Sequence, residues 1–337
     1  TNWPTVSTKG GLSPPTSVSQ YNGVAWEPMK IEGSKEMHIF AIGDWGGLDG
    51  TMKYGAAMIQ YRGGQTPGPH TMARFRGPCK TKEMVSCFGG GPCEKSCRYT
   101  PAIDQHAQNL VAVQMNKRAA DKNPDFILNV GDNFYWGGVN TDCGSPMDKI
   151  GYVAGLQFNN IFESVYKGKG IDGVPWFSVL GNHDWGGFQF NKGWDQQIAY
   201  TWASDRWRMP GLYWMQHVEY PDLGFSAEFF MIDSNAMDVK PMHADPNHNI
   251  CGAKHTPTGA SCAKTGGPAN LKDCFKWMWD LWRAEQKWLE KKLEASTADW
   301  QVVVTHFACG HQSQWYKKLH EKHGLDLLVT GHTHVQA

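Results

Sequence analysis

Six short apolar runs punctuate the chain, and each closes on a glycine or a polar side chain: HIFAIGDWGG (38–47), FILNVGDNFY (126–135), WFSVLGNHDW (176–185), FFMIDSN (229–235), WQVVVTHFACGH (300–311) and LDLLVTGHTH (325–334). Rich in Val, Ile and Phe, and without strict alternation, they predict strands buried on both faces. Between them the period changes. Residues 107–122, AQNLVAVQMNKRAADK, carry apolar positions at helical spacing and stop at Asn123-Pro124. Residues 273–296 set Met278, Leu281, Trp282, Leu289 and Leu293 along one stripe, predicting a second, longer helix. Strand and helix in alternation predict an α/β sheet with helices packed outside it. Three stretches break the rhythm. Residues 1–36 are rich in Pro, Ser, Thr and Gly and are expected to form an extended, solvated arm. Residues 47–105 and 235–274, rich in Gly and Cys, are expected to be insertions into a domain spanning 37–337.

Composition narrows the partners. Lys plus Arg equals Asp plus Glu, 32 each, so no basic excess points to nucleic acid. No apolar run approaches the roughly 20 residues of a membrane span, and no basic-then-apolar leader opens the chain. A soluble, processed or partial chain is expected. Nine cysteines are present, and the spacing of Cys79, Cys87, Cys93 and Cys97 does not match the Cys-x-x-Cys pairs of structural zinc. Disulfides in an oxidising compartment are the expected reading, over reduced thiols or metal. The chain has no Asn-x-Ser/Thr sequon to support secretion independently.

Chemistry gathers at the strand ends. Asp44, Asp132, Asn182 with His183, His306, and His332 with His334 all follow apolar runs, the place where loops of an open α/β sheet converge on ligands. Taken singly, Asp44 or Asp132 reads as a helix cap, His306 as a core histidine and Tyr135 as packing. Taken together, two carboxylates, an amide oxygen, three imidazoles and a phenol suit two metal ions with mixed nitrogen and oxygen ligands, one carboxylate bridging. Two metals about 3.5 to 4 Å apart clamp an in-line displacement at phosphorus, which points to phosphoester hydrolysis.

The ordered set GDWGG (43–47), GDNFY (131–135), GNHD (181–184), VVTH (303–306) and GHTH (331–334) resembles the calcineurin-like metallophosphoesterases, and Tyr135 narrows the likeness to purple acid phosphatases of the small tartrate-resistant type. The resemblance extends to VPWFSVLGNHD, QQIAY, FFMIDSN and AEQKWLEKKLEAS. It implies a four-layer α-β-β-α sandwich and a binuclear centre. Asp44, Tyr135 and His334 would bind Fe(III); Asn182, His306 and His332 would bind a divalent ion, iron, zinc or manganese; Asp132 would bridge them. His183 would contact the phosphoryl group and act as acid, with a purely structural hydrogen bond as the alternative. The implied reaction is hydrolysis of phosphate monoesters at acid pH by a metal-bound hydroxide, releasing inorganic phosphate. The implied setting is secreted, cell-surface or lysosome/vacuole-like.

Two departures stand out. The family's second pocket histidine falls at Trp315, leaving His311 as the nearest candidate, and Thr305-His306-Phe307-Ala308 replaces the usual Gly-His-x-Pro context. The family also continues through further strands, so a fragment is expected. A catalytically silent scaffold, meeting a protein partner through the arm or the insertions, and a phosphodiesterase are the alternative functions.

Overall fold

The computed structural model describes residues 4–33, 36–46, 107–135, 137–245 and 248–334. In chain order the strands are β1 (Val24–Ala25), β2 (Met29–Lys30), β3 (Ile39–Ile42), β4 (Phe126–Asn129), β5 (Trp176–Ser178), β6 (Trp207–Arg208), β7 (Trp214–Tyr220), β8 (Phe225–Met231), β9 (Trp300–Val304) and β10 (Leu327–Val329). The helices are α1 (Ala107–Lys122), α2 (Tyr152–Gln157), α3 (Asn182–Trp185), α4 (Trp194–Ala199), α5 (Leu271–Ala295) and α6 (Ser313–His323), with α2 continuing into a π-helical turn over Phe158–Glu163. Every one of the apolar runs contributes a strand, and both predicted helices form.

The strands make two sheets. One is parallel, ordered β3-β4-β5-β6; the other is ordered β1-β7-β8-β9-β10, with β2 also on β7 and a single antiparallel junction between β7 and β8. Two adjacent residues of β5 show how the layers stack, because successive side chains leave a strand on opposite faces. Trp176 points outward onto Phe162 and Tyr166, both with centroids at 4.9 Å. Phe177 points inward, against Trp214 at 5.9 Å and Phe229 at 6.1 Å on the second sheet. Phe230 and Val303, on the far side of that sheet, are buried with Trp282, Leu289 and Leu293 of α5 and with Tyr316 and Leu319 of α6. The result is the expected four-layer α-β-β-α sandwich.

Burial on both faces holds for β4 and β5 but not for β3 and β10, which are only partly covered. Each stands at the end of its sheet order, and an edge strand lacks one flanking neighbour.

Residues 4–33 are not a solvated arm. Val18 and Trp26 are buried, Tyr21 stacks on Trp202 at 5.5 Å, and β1 and β2 pair in parallel with β7. Widely spaced aromatic anchors hold this segment, a signal that its polar, proline-rich average conceals. Disulfides join Cys143 to Cys262 and Cys251 to Cys274, while Cys309 is free and exposed. The 47–105 insertion, with Cys79, Cys87, Cys93 and Cys97, lies outside the described residues. Among those described, no helix is long and apolar enough to cross a membrane.

Candidate metal centre

β3, β4, β5, β9 and β10 run parallel within their sheets, and the residues that follow them converge on one edge of the sandwich. The turns there are tight. Asp44, Asp132, His332 and His334 all have positive φ, at 58°, 54°, 72° and 54°, a region that non-glycine residues rarely enter outside functional turns. Glycines make room for them. A Cβ on Gly131 would lie 2.6 Å from the Gly181 nitrogen, and one on Gly181 would lie 2.2 Å from Asp132 Oδ1. The GD and GN motifs are therefore two backbones in contact, with the Asp132 carboxylate between them.

Two clusters of donor atoms result. In the first, the Tyr135 hydroxyl lies 3.3 Å from Asp44 Oδ1 and 2.9 Å from His334 Nε2, and His334 Nε2 is 3.1 Å from Asp44 Oδ1. In the second, His306 Nε2 lies 3.1 Å from Asn182 Oδ1, 3.3 Å from His332 Nδ1 and 3.5 Å from Asp132 Oδ1. Asp132 also hydrogen-bonds Tyr135, and ligand atoms of Asp44, Asp132 and His306 lie within 4.8 Å of one another. Asp132 thus touches both clusters.

The second cluster fits a cation on its own chemistry. His306 Nδ1 donates to the Val130 carbonyl at 2.8 Å, which leaves Nε2 a bare lone pair. Asn182 Nδ2 donates to Asp238 Oδ2 at 3.2 Å, which turns the amide oxygen toward that same lone pair. His306 Nε2, with no proton of its own, thus faces the oxygens of Asn182 and Asp132 in a place sealed from water at His306 and Asp132, an arrangement that a cation stabilises. The titration shifts agree. Burial, reinforced by the Asp44 charge, pushes Asp132 up to about 8. Burial and the neighbouring His306 push His332 down to about 4, keeping its imidazole neutral. Burial and the Asp132 charge raise the Tyr135 phenol well above its ordinary value, so only a strongly polarising cation would hold it as phenolate. Burial alone would raise Asp44 too, but its bond to His334 and the other nearby donors hold it below the usual range.

The other anticipated residues lie at the rim. The His183 ring sits over Tyr135 at 4.6 Å, and its backbone N–H donates to Asp132 Oδ1 at 3.0 Å. The His311 ring stands 6.0 Å from His332. Trp315 faces away, donating to Glu290 and packing on Trp282, so it does not substitute for a pocket histidine. Phe307 covers His332 at 4.1 Å, and the Thr305 hydroxyl is held by Ser234, which accounts for the altered context of His306.

A buried layer behind the site escaped the sequence reading. Trp45 Nε1 donates to Asn129, Asn129 Nδ2 to Asn133, and Asn133 Nδ2 to the Val179 carbonyl and Gln197. Asp184 accepts from the backbone N–H groups of Gly181, Asn133 and Phe134 and from Gln197, tying the turn that carries Asp132 and Tyr135 to the one that carries Asn182 and His183. One signal was available: Asn129 sits inside an apolar run, where a buried amide needs partners.

The calcineurin-like phosphoesterase family profile matches residues 37–336. The chain belongs to that family. Within it the chain is purple acid phosphatase-like. It is 28% identical over 183 residues to Tartrate-resistant acid phosphatase type 5 of Homo sapiens, 54% of this chain and 44% of that protein. The same protein of Oryctolagus cuniculus is 26% identical over 66% of this chain and 59% of its own length. Purple acid phosphatase 17 of Arabidopsis thaliana is 27% identical over 78% of this chain and 66% of its own. The chain spans about half the length of the mammalian relatives it matches. A solved structure described as GAP50, the anchor in the inner membrane complex of Plasmodium, superposes with TM-score 0.44 at 14% identity, covering 88% of this chain and 65% of that one.

Proposed function

We propose that this calcineurin-like phosphoesterase hydrolyses phosphate monoesters at acid pH on a binuclear metal centre. The observation that carries the reading is the sharing of one buried carboxylate, Asp132, by two clusters of metal-competent side chains. Asp44, Tyr135 and His334 would hold Fe(III), the phenol and carboxylate being hard ligands for it, and Asn182, His306 and His332 would hold iron, zinc or manganese as the divalent ion. When bound, the pair supplies an acidified water as nucleophile and positive charge against the phosphoryl oxygens.

The chain's own residues do the rest. Asp184 and Asp238 fix the donors in advance, so little reorganisation accompanies binding. His183 stands beside the cluster on the rim, and as an imidazolium it gives its ring proton to the departing ester oxygen. His311, whose ring stands beside His332, donates to a phosphoryl oxygen. Phe307 and Trp45 are buried and exclude water from behind the site. The disulfides suit an oxidising, secreted or lysosome/vacuole-like setting.

The test is hydrolysis of a chromogenic phosphomonoester from pH 4 to 8 by the metal-loaded full chain, beside Asn182→Ala, His332→Ala as control. A rate at least a hundredfold above the control, falling toward neutral pH, is expected. Equal rates would reduce the protein to a binding scaffold, and a preference for the diester would make it a phosphodiesterase.

A further inference from the structure

The segment 235–274 reaches the rim beside His183, where His248 and His255 form a ridge of rings with Phe188. Gly186 and Gly187, with φ of 127° and 72°, turn the chain directly after α3 and bring Phe188 to 6.5 Å from the His183 ring. On its other side Phe188 meets His255 at 5.8 Å and His248 at 6.3 Å, both from the insertion. One residue from His255, Lys254 lines an open hollow of about 270 Å³ together with His243, Met242, Ala244 and Ala253. Phe188 and His255 are half-buried, while His248, His243 and Lys254 are exposed.

This ridge is built rather than draped. The Asn249 side chain, buried to 1% exposure, accepts from the backbone of Lys240 and Cys251 and donates to the carbonyls of Pro241 and Ala244, so the loop is wrapped around it. Cys251 is bonded to Cys274 at the start of α5, and Cys262 to Cys143. The nearby acid Asp245 is paired with Lys240, and Asp238 is turned inward to Asn182. What faces outward is an aromatic surface followed by imidazole and ammonium donors, the chemistry that grips a phosphate.

Resting on the phosphatase reading, we infer that Phe188, His248, His255 and Lys254 form a leaving-group subsite that selects esters carrying a second phosphate beyond the scissile one. The ester group would sit at the metals, the chain between phosphates would lie along Phe188, and the distal phosphate would reach the imidazoles and Lys254. His248, His255 and Lys254 lie outside the donor clusters, so their loss leaves the reaction itself intact.

The experiment compares hexane-1,6-diol bisphosphate, whose six-carbon chain is long enough to pass Phe188, with p-nitrophenyl phosphate on the metal-loaded full chain and on the His248→Ala, His255→Ala, Lys254→Ala variant. The subsite predicts that KM for the bisphosphate rises about tenfold while kcat on either substrate, and KM for p-nitrophenyl phosphate, change less than twofold. Both substrates weakening together, or neither, overturns it. Should the wild type turn over neither substrate, the phosphatase reading fails and calorimetry alone decides the subsite. Wild type binding hexane-1,6-diol bisphosphate at least tenfold tighter than orthophosphate, with that margin lost in the variant, supports it; equal affinities in the wild type overturn it.

Discussion

Asn182 Nδ2 donates to Asp238 Oδ2 at 3.2 Å, and that bond decides which end of the Asn182 amide faces His306. Asp238 therefore orients the amide oxygen that would serve the proposed divalent ion. Removing the acceptor in Asp238→Ala frees the amide to turn its N–H₂ toward the cluster. Loss of such an orienting partner typically costs about 10- to 100-fold in metal affinity. Chelator competition with zinc is expected to show a loss in that range for Asp238→Ala, and largely retained affinity for Asp238→Asn, whose amide oxygen can still accept.

Gly181 tests the close approach of the two motifs. In Gly181→Ala the new methyl group would stand 2.2 Å from Asp132 Oδ1, so the carboxylate or the backbone must move. On the proposed binuclear reading both metal positions share Asp132, and both should fail together. The expected result is loss of metal uptake by elemental analysis with near-normal far-UV circular dichroism; loss of one metal alone would show that Asp132 is not common to the two.

Stability should rise with acidity in the metal-free protein. Burial pushes Asp195 up to about 6, against the pull of the Gly144 N–H and the Thr265 hydroxyl, and pushes Asp233 up to about 6; burial and the Asp233 charge raise Glu285 well above the carboxylate range. A carboxyl whose folded pKa exceeds its unfolded one stabilises the fold as the neutral acid. That contribution is complete below the unfolded value, about 4, and is lost as pH rises through the folded value. For Asp195 the shift corresponds to about 3 kcal/mol between pH 4 and neutral pH. Thermal melts should give a higher Tm at pH 5 than at pH 8. Glu285→Gln keeps an acceptor for the Asp233 N–H and should raise Tm at pH 8 while leaving it almost unchanged at pH 5.

The strand runs and the two helices were readable because hydrophobic burial writes itself into local periodicity. The polar residues that converge at the sheet edge were readable because each follows a run. Asp238, Asp184 and Gln197 were not, since a buried polar side chain is identified by its partner, and these partners lie 56, 51 and 64 residues away in the chain. β1 and β2 escaped for a related reason. Strands of two residues carry no period, and only their pairing with β7 defines them.

Two metals sharing Asp132, one of them ferric and bound by Tyr135, is the claim on which the rest depends. It is tested most directly by metal analysis and a visible spectrum of the iron-loaded protein, wild type beside Tyr135→Phe. The account predicts two metal ions per chain and a pink or purple band that disappears in the variant. A colourless wild type, or a band that survives the loss of the phenol, would contradict it.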